Sequence, residues 1–101
     1  MKHANVAFGI ALALAAVAGK TIAQETNYGR NLAAACASCH GTNGKSKGLM
    51  SDLAGMPKDS IVGHMKDFKS GTKSSTVMQQ LAKGYNDAQI EAIAAYFSAQ
   101  K

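Results

Sequence analysis

The chain has two cysteines, and both lie in one five-residue segment, Cys36-Ala37-Ser38-Cys39-His40. Two cysteines permit one disulfide at most, so the chain is not a scaffold held together by several disulfides. Its 101 residues make one small domain at most, and a domain near the lower size limit buries only about 60% of the surface of its unfolded chain. Such domains are usually completed by a disulfide, a metal or a cofactor. We therefore expect a stabilising group to bind at residues 36–40.

The spacing C-x-x-C-H is the attachment motif of c-type haem. Haem carries two vinyl groups, and two thiols three residues apart at the end of one helix can each add to one of them and form a thioether. The next residue, His40, then lies under the iron. We predict one covalent haem c, with Cys36 and Cys39 as its anchors and His40 as an axial ligand. Both thiols must be free when the haem arrives.

Two other kinds of site use a C-x-x-C pair. Thioredoxin-like redox proteins place it beside a strand of a βαβ unit, but no segment here shows the period-2 alternation of a strand. Structural zinc takes four ligands, typically from two such pairs, and this chain has no second pair. Both alternatives are therefore disfavoured.

The N-terminal residues 1–23 have the composition of an export signal. The apolar run Val6–Ala18 is shorter than the roughly 20 residues of a membrane span. Thr21-Ile22-Ala23 places small residues where a signal peptidase requires them. We predict cleavage before Gln24, with a cut after Gly19 as the alternative, a periplasmic location, and no stable membrane insertion after cleavage.

After removal of residues 1–23 the chain carries nine basic and six acidic residues. The lysines are spread along the chain, and no cluster of arginine or aromatic residues accompanies them, so nucleic-acid binding is not expected. Lys69, Lys73 and Lys83 lie near Met78 in the sequence and are predicted to steer acidic partners. The alternative is that they are ordinary solvated surface.

Within residues 24–101, apolar residues recur at helical spacing. This pattern predicts a single all-α domain over those residues. The expected helices are Tyr28 to about Ala37, Pro57 to Gly71, a short piece ending at Gly84, and a last helix capped by Asn86 with Gln89 as its capping-box partner. The apolar stripe of the second contains Ile61, His64, Met65 and Phe68, and that of the last contains Ile90, Ile93, Ala94 and Phe97. Gly29 allows the first helix to cross the last closely, against Tyr96 or Phe97.

The candidates for a second axial ligand are His64 and the methionines Met50, Met56, Met65 and Met78. Residues on a helix stripe are more often core, and the two methionines nearest His40 leave little chain to reach the opposite haem face. Met78 lies 38 residues beyond His40, which is enough to wrap around the macrocycle, and is favoured. A filled sixth position argues against oxygen binding or peroxidase chemistry.

The region 24–101 resembles a class I cytochrome c. The matching elements are the helix before Cys36, the C-x-x-C-H-G segment at 36–41, Leu53-Ala54-Gly55, Met78, and the final helix that follows Asn86. Three further stretches, at residues 65–71, 75–78 and 82–85, resemble the cytochrome subunit of flavocytochrome c sulfide dehydrogenase.

This resemblance implies three to five helices around one covalent haem, with crossed N- and C-terminal helices. It implies Cys36 and Cys39 as haem anchors and His40 and Met78 as axial ligands. Relatives usually have a proline after Gly48, whose carbonyl orients the proximal histidine. This chain has Leu49 there, whose carbonyl can accept the same bond, in a looser loop.

The resemblance also implies a partner. In that enzyme an FAD-containing flavoprotein subunit oxidises sulfide and passes electrons to the cytochrome, which hands them to another periplasmic acceptor and performs no substrate chemistry of its own. The alternative is a free mobile carrier between periplasmic redox enzymes. A third interpretation is a copper site of His64 with Met50, Met56 or Met65, because thioethers suit Cu(I), but no Met-x-x-Met array supports it.

Overall fold

The computed structural model describes residues 27–48 and 50–101, and within these ranges it contains helices and no β-strand. The all-α prediction is confirmed for this part of the chain. The predicted signal peptide, residues 1–23, and Leu49 lie outside the described residues. None of the helices in the described part is long and apolar enough to cross a membrane.

The described residues form five α-helices joined by turns and by one longer loop, between residues 44 and 58. The helices are α1 (residues 27–33), α2 (Ala37–His40), α3 (Lys58–Ser70), α4 (Met78–Ala82) and α5 (Asp87–Ser98). Short 3₁₀ turns cover Ala34–Cys36 and Thr42–Gly44. The predicted boundaries at Pro57 and Gly71 agree with α3, whose chain leaves the helix at Gly71 in a left-handed conformation.

The first helix is longer than predicted, and it contains a 3₁₀ turn that was not predicted. It runs from α1 through the 3₁₀ turn Ala34–Cys36 into α2 and ends at His40, beyond the expected end near Ala37. In the turn, the Ala37 N–H bonds to the Ala34 carbonyl, the tighter i to i+3 pattern. Both cysteines and the histidine therefore lie on one continuous helical path.

Helix α3 differs from its predicted stripe at one position. Ile61 and Met65 are buried and Phe68 is half-buried, as predicted, but His64 is exposed and Val62 is buried in its place. The reason is that α3 packs against both α4 and α5, so the buried face is wider on the Val62 side than one row of residues indicates.

Helix α5 forms as predicted. The Gln89 N–H donates to Asn86 Oδ1 at 2.8 Å, and the Asn86 N–H donates to Gln89 Oε1 at 2.9 Å, which together make a capping box. The apolar stripe of α5 is buried along its whole length, and it supplies the largest fully buried side chains, Phe97, Ile90 and Ile93.

The hydrophobic core of the described residues is small. Its buried members are Ala33, Ile61, Val62, Met65, Ala82, Ile90, Ile93, Ala94 and Phe97. Three of these nine side chains are alanines, so the core contains little apolar volume. A core of this size provides little burial energy, and small domains commonly rely on an additional bound group.

Helix α1 approaches α5 closely at Gly29, which is buried. A Cβ built on Gly29 would lie 2.7 Å from the Ala92 carbonyl oxygen and 3.6 Å from the Tyr96 Cβ. The predicted close approach of the first and last helices is confirmed, and it centres on Ala92 and Tyr96. Glycine is required because the nearest atom is backbone and cannot move aside.

We expect Gly29→Ala and Gly63→Ala to change stability in opposite directions. The alanine methyl at position 29 forces α1 away from the Ala92 backbone and costs about 1–3 kcal/mol. Gly63 is an exposed residue of α3, and a Cβ added there would have nothing within 4 Å, so Gly63→Ala stabilises by roughly 0.5–1 kcal/mol. Denaturant unfolding of both variants checks this, and equal midpoints contradict the close crossing.

Candidate functional site

The two cysteines lie three residues apart on the same helical path. Cys36 ends the 3₁₀ turn and Cys39 lies in α2, and both are free thiols. Cys36 is half-buried and packs against the hydrophobic core, whereas Cys39 is exposed. One thiol is therefore fixed by packing and the other is open to an incoming group.

Burial raises the pKa of the Cys36 thiol above its ordinary value. The low-dielectric surroundings disfavour the charged thiolate, so a larger fraction of Cys36 stays protonated at neutral pH than for a free cysteine. The thiolate is the metal-binding form of cysteine, so this environment does not favour Cys36 as a ligand for a bare metal ion.

The imidazole of His40 is oriented by a backbone carbonyl. His40 Nδ1 lies 2.7 Å from the Ser51 carbonyl oxygen. Because a carbonyl can only accept, Nδ1 carries the proton, and the lone pair of the neutral ring is then on Nε2. A histidine held in this way has the tautomer and the orientation of a metal ligand.

The acceptor for His40 comes from an unexpected residue. The family resemblance implied that the Leu49 carbonyl can accept this bond, and Leu49 lies outside the described residues. Among the described residues the Ser51 carbonyl accepts it. The loop that carries Ser51 is held by Asp52, whose Oδ1 accepts the Ser46 N–H at 2.6 Å. No local spacing pattern in the sequence points to either residue.

The chain turns sharply after His40 because glycines adopt positive φ there. Gly41 has φ +81°, and a Cβ on it would lie 1.9 Å from the Lys45 carbonyl oxygen. Gly44 has φ +78°, and a Cβ would lie 2.8 Å from both the Ala54 nitrogen and the Phe97 ring. There is no room for a side chain at either position. The two glycines therefore allow the tight turn after which the loop returns to α2, where Ser51 contacts His40.

Two hydrogen bonds attach this turn and loop to α5, and two more join the turn to the loop. The Tyr96 hydroxyl donates to Asn43 Oδ1, and Asn43 itself has a positive φ of 56°. The Gly44 carbonyl accepts the N–H groups of Leu53 and Ala54, and the Gly55 N–H donates to the Phe97 carbonyl at 2.9 Å. The position of His40 and its acceptor therefore depends on the last helix.

Met78 is the first residue of α4, and its half-buried side chain packs against the same core as Cys36. Of the other candidate ligands, Met56 has similar surroundings, and the rest do not. Met65 is buried at 7% exposure within the core, Met50 is 51% exposed, and half-buried Met56 packs against the core. His64 is exposed, with its Nδ1 3.1 Å from the Lys73 ammonium.

Two of the three lysines predicted to steer partners make local contacts. The Lys69 ammonium donates to the Tyr85 carbonyl at 2.6 Å. Lys73 contacts His64 and lies 5.1 Å from the centre of the Phe68 ring, a cation–π distance. Lys83 is exposed. The steering prediction therefore depends more on Lys83 than on the other two.

The donor set at residues 36–40 fits a covalently attached haem. It offers two free thiols at the C-x-x-C spacing and one imidazole whose Nδ1 is bonded to the Ser51 carbonyl. Across residues 27–48 and 50–101, no group of three or more His, Cys, Asp or Glu side chains is placed to hold a metal ion. The chemistry of the site matches a porphyrin-borne iron, which needs few protein ligands.

Comparisons with known proteins identify the family. Residues 23–97 match the family described as cytochrome c oxidase, cbb3-type, subunit III. The cytochrome subunit of sulfide dehydrogenase from Chlorobaculum tepidum is 42% identical over 69 residues, covering 68% of this chain and 63% of that protein. Cytochrome c-553 from Helicobacter pylori is 36% identical over 72 residues, covering 69% of this chain and 75% of that protein.

A solved structure shows the same architecture. Acidithiobacillus ferrooxidans cytochrome c4 superposes with a TM-score of 0.62 at 38% identity, covering 64% of this chain and 38% of that one. The chain thus spans less than two thirds of the sulfide dehydrogenase subunit and of the cytochrome c4 chain. It belongs to the class I c-type cytochromes, and membership of this family implies covalently bound haem c.

Proposed function

We propose that this chain is a periplasmic cytochrome c that carries one electron on a single haem. The helical turn at residues 36–40 carries the proposal, because two free thiols there precede a histidine whose Nδ1 is already engaged. Bound haem supplies a reversible one-electron couple of its iron. The protein makes and breaks no substrate bond.

In this proposal Cys36 and Cys39 anchor the haem through thioethers and His40 provides the proximal nitrogen. Packing of Cys36 against the core fixes one anchor relative to the fold. The Ser51 carbonyl accepts from His40 Nδ1, which keeps the ring from rotating and increases the basicity of Nε2.

Met78 is the proposed second axial ligand. Its side chain is half-buried at the start of a short helix, so the thioether is neither enclosed in the core like Met65 nor solvated like Met50. A methionine paired with histidine raises the reduction potential relative to two imidazoles. With His40 and Met78 both holding the iron, the protein would suit electron transfer and would leave no position for a substrate.

The proposed role within metabolism is that of the electron-accepting subunit of a flavocytochrome c sulfide dehydrogenase. The 42% identity to the cytochrome subunit of sulfide dehydrogenase supports it. The partner is then an FAD-containing flavoprotein that oxidises sulfide and passes single electrons to the haem. Another periplasmic protein accepts them in turn.

A free mobile carrier is the second candidate. The match to cytochrome c-553 covers 75% of that protein. The name of this relative specifies a cytochrome c and no larger enzyme, and its length is close to that of this chain. It therefore supports a free carrier that binds its partners transiently. Both candidates require export, for which the proposed signal is residues 1–23 with cleavage before Gln24.

We expect Met78→Ala to open the sixth coordination position. The ferric Met78→Ala protein should bind added imidazole at least about tenfold more tightly than wild type, because no internal ligand has to be displaced, and its reduction potential should fall. Met50→Ala, which removes an exposed methionine, is the matched control and should leave both quantities unchanged. An imidazole affinity unaffected by Met78→Ala would contradict the assignment.

Gel filtration of the protein from its native periplasm separates the two candidate roles. Each fraction is measured for haem and flavin absorbance at low and at high salt. We expect haem and flavin to elute together in a fixed ratio, after which sulfide is tried as the reductant. Haem alone at the size of a small monomer, at both salt concentrations, contradicts the subunit role and favours the mobile carrier.

A further inference from the structure

Lys69 makes a contact that an ordinary surface lysine does not. It lies in the last turn of α3, half-buried, and its ammonium donates a 2.6 Å hydrogen bond to the backbone carbonyl of Tyr85, 16 residues further along the chain. Lysine is rarely buried without a partner, and a bond from a charged donor is roughly twice as strong as a neutral one. The bond joins the end of α3 to the turn between α4 and α5.

Tyr85 is the last residue of a compact segment that begins with Met78, which we call segment 78–85. Helix α4 occupies its first part, and two turn bonds close the rest, from the Gly84 N–H to the Leu81 carbonyl and from the Tyr85 N–H to the Ala82 carbonyl. Ala82 is completely buried, and the Tyr85 side chain packs against the core. A movement of Tyr85 is therefore transmitted to α4 and to its first residue.

The other end of segment 78–85 is also anchored. The Gln79 side-chain amide donates to the Lys73 carbonyl at 3.3 Å, and the Gln79 N–H donates to Ser75 Oγ at 3.0 Å. These bonds fix the start of the segment to the loop that follows α3. The bond from Lys69 to the Tyr85 carbonyl fixes the end of the segment to α3 itself. Both ends of segment 78–85 are therefore held.

We propose that Lys69 is a positioning residue for Met78. Its bond to the Tyr85 carbonyl holds segment 78–85 against α3 and so keeps the Met78 thioether where it can remain on the haem iron. The inference rests on the proposed role of Met78 as an axial ligand. It also gives Lys69 a role inside the fold, while the role of Lys69 in steering partners stays a prediction.

The test uses the haem-loaded protein with Lys69→Met, Lys69→Arg and Lys66→Met. Lys69→Met keeps an apolar stem of similar length and removes the donor, and Lys69→Arg keeps a charged donor. Lys66→Met removes an exposed lysine from the same helix and controls for the loss of charge. The measured quantities are the affinity of the ferric protein for added imidazole and the absorption band that methionine ligation gives to ferric haem.

If Met78 holds the iron, added imidazole would bind only after the Met78 thioether has dissociated, so the apparent affinity would report the fraction of open protein. Loss of a charged hydrogen bond should raise that affinity about tenfold in Lys69→Met and weaken the methionine band. Lys69→Arg should restore both to near wild type, and Lys66→Met should leave both unchanged. Where Lys69→Met does not accumulate with haem, Lys69→Gln, which keeps a shorter neutral donor, is measured in the same way.

Two results overturn the inference. One is an imidazole affinity of Lys69→Met that equals that of the wild type. The other is an imidazole affinity that rises equally in Lys69→Met and Lys66→Met, because the effect would then come from the loss of a positive charge and not of the hydrogen bond. Met78→Ala, measured alongside, separates this failure from that of the proposed function. If Met78→Ala raises the affinity and Lys69→Met does not, only the positioning role is wrong. If neither changes the affinity, Met78 is not the ligand and both statements are wrong.

Discussion

Burial of α5 is the interaction on which the other parts of the structure depend. Its apolar stripe supplies the largest buried side chains of a core that is otherwise rich in alanine. Phe97 also reaches the functional turn, because its ring packs where Gly44 has no side chain and its carbonyl accepts the Gly55 N–H. Gly44 and Gly55 bracket the loop that presents the Ser51 carbonyl to His40. The orientation of the His40 imidazole thus depends on contacts made by α5.

Features encoded by neighbouring residues could be predicted from the sequence. The capping box of Asn86 and Gln89, the buried stripe of α5 and the C-x-x-C-H motif each depend on spacing within a few turns of helix, and the structure contains the first two as predicted. Contacts between distant segments could not be predicted. The Ser51 carbonyl and the bond from Lys69 to Tyr85 involve backbone acceptors, which every residue possesses, so no residue type marks them. Tertiary packing alone selects them.

Residues 36–40 define the chemistry of the site, but they do not identify the protein that donates the electron. Two thiols and an oriented imidazole in one turn define the chemistry of covalent haem attachment, and they do so locally. The proposed steering of an electron donor would depend on surface charge, and the ammonium groups of Lys69 and Lys73 contact groups of the fold itself. A small core completed by a covalent cofactor serves equally as a subunit or as a free carrier, because neither role changes what holds the iron.

The other functional assignments depend on one proposal, the covalent attachment of a single haem at Cys36 and Cys39. The intact mass of the protein isolated from the periplasm, recorded under denaturing conditions, tests this attachment. We expect the mass of residues 24–101 plus one haem, and the loss of that haem from a variant in which both cysteines are replaced by alanine. The mass of the polypeptide alone, or a haem that separates when the protein is denatured, would show that the haem is not attached at these cysteines.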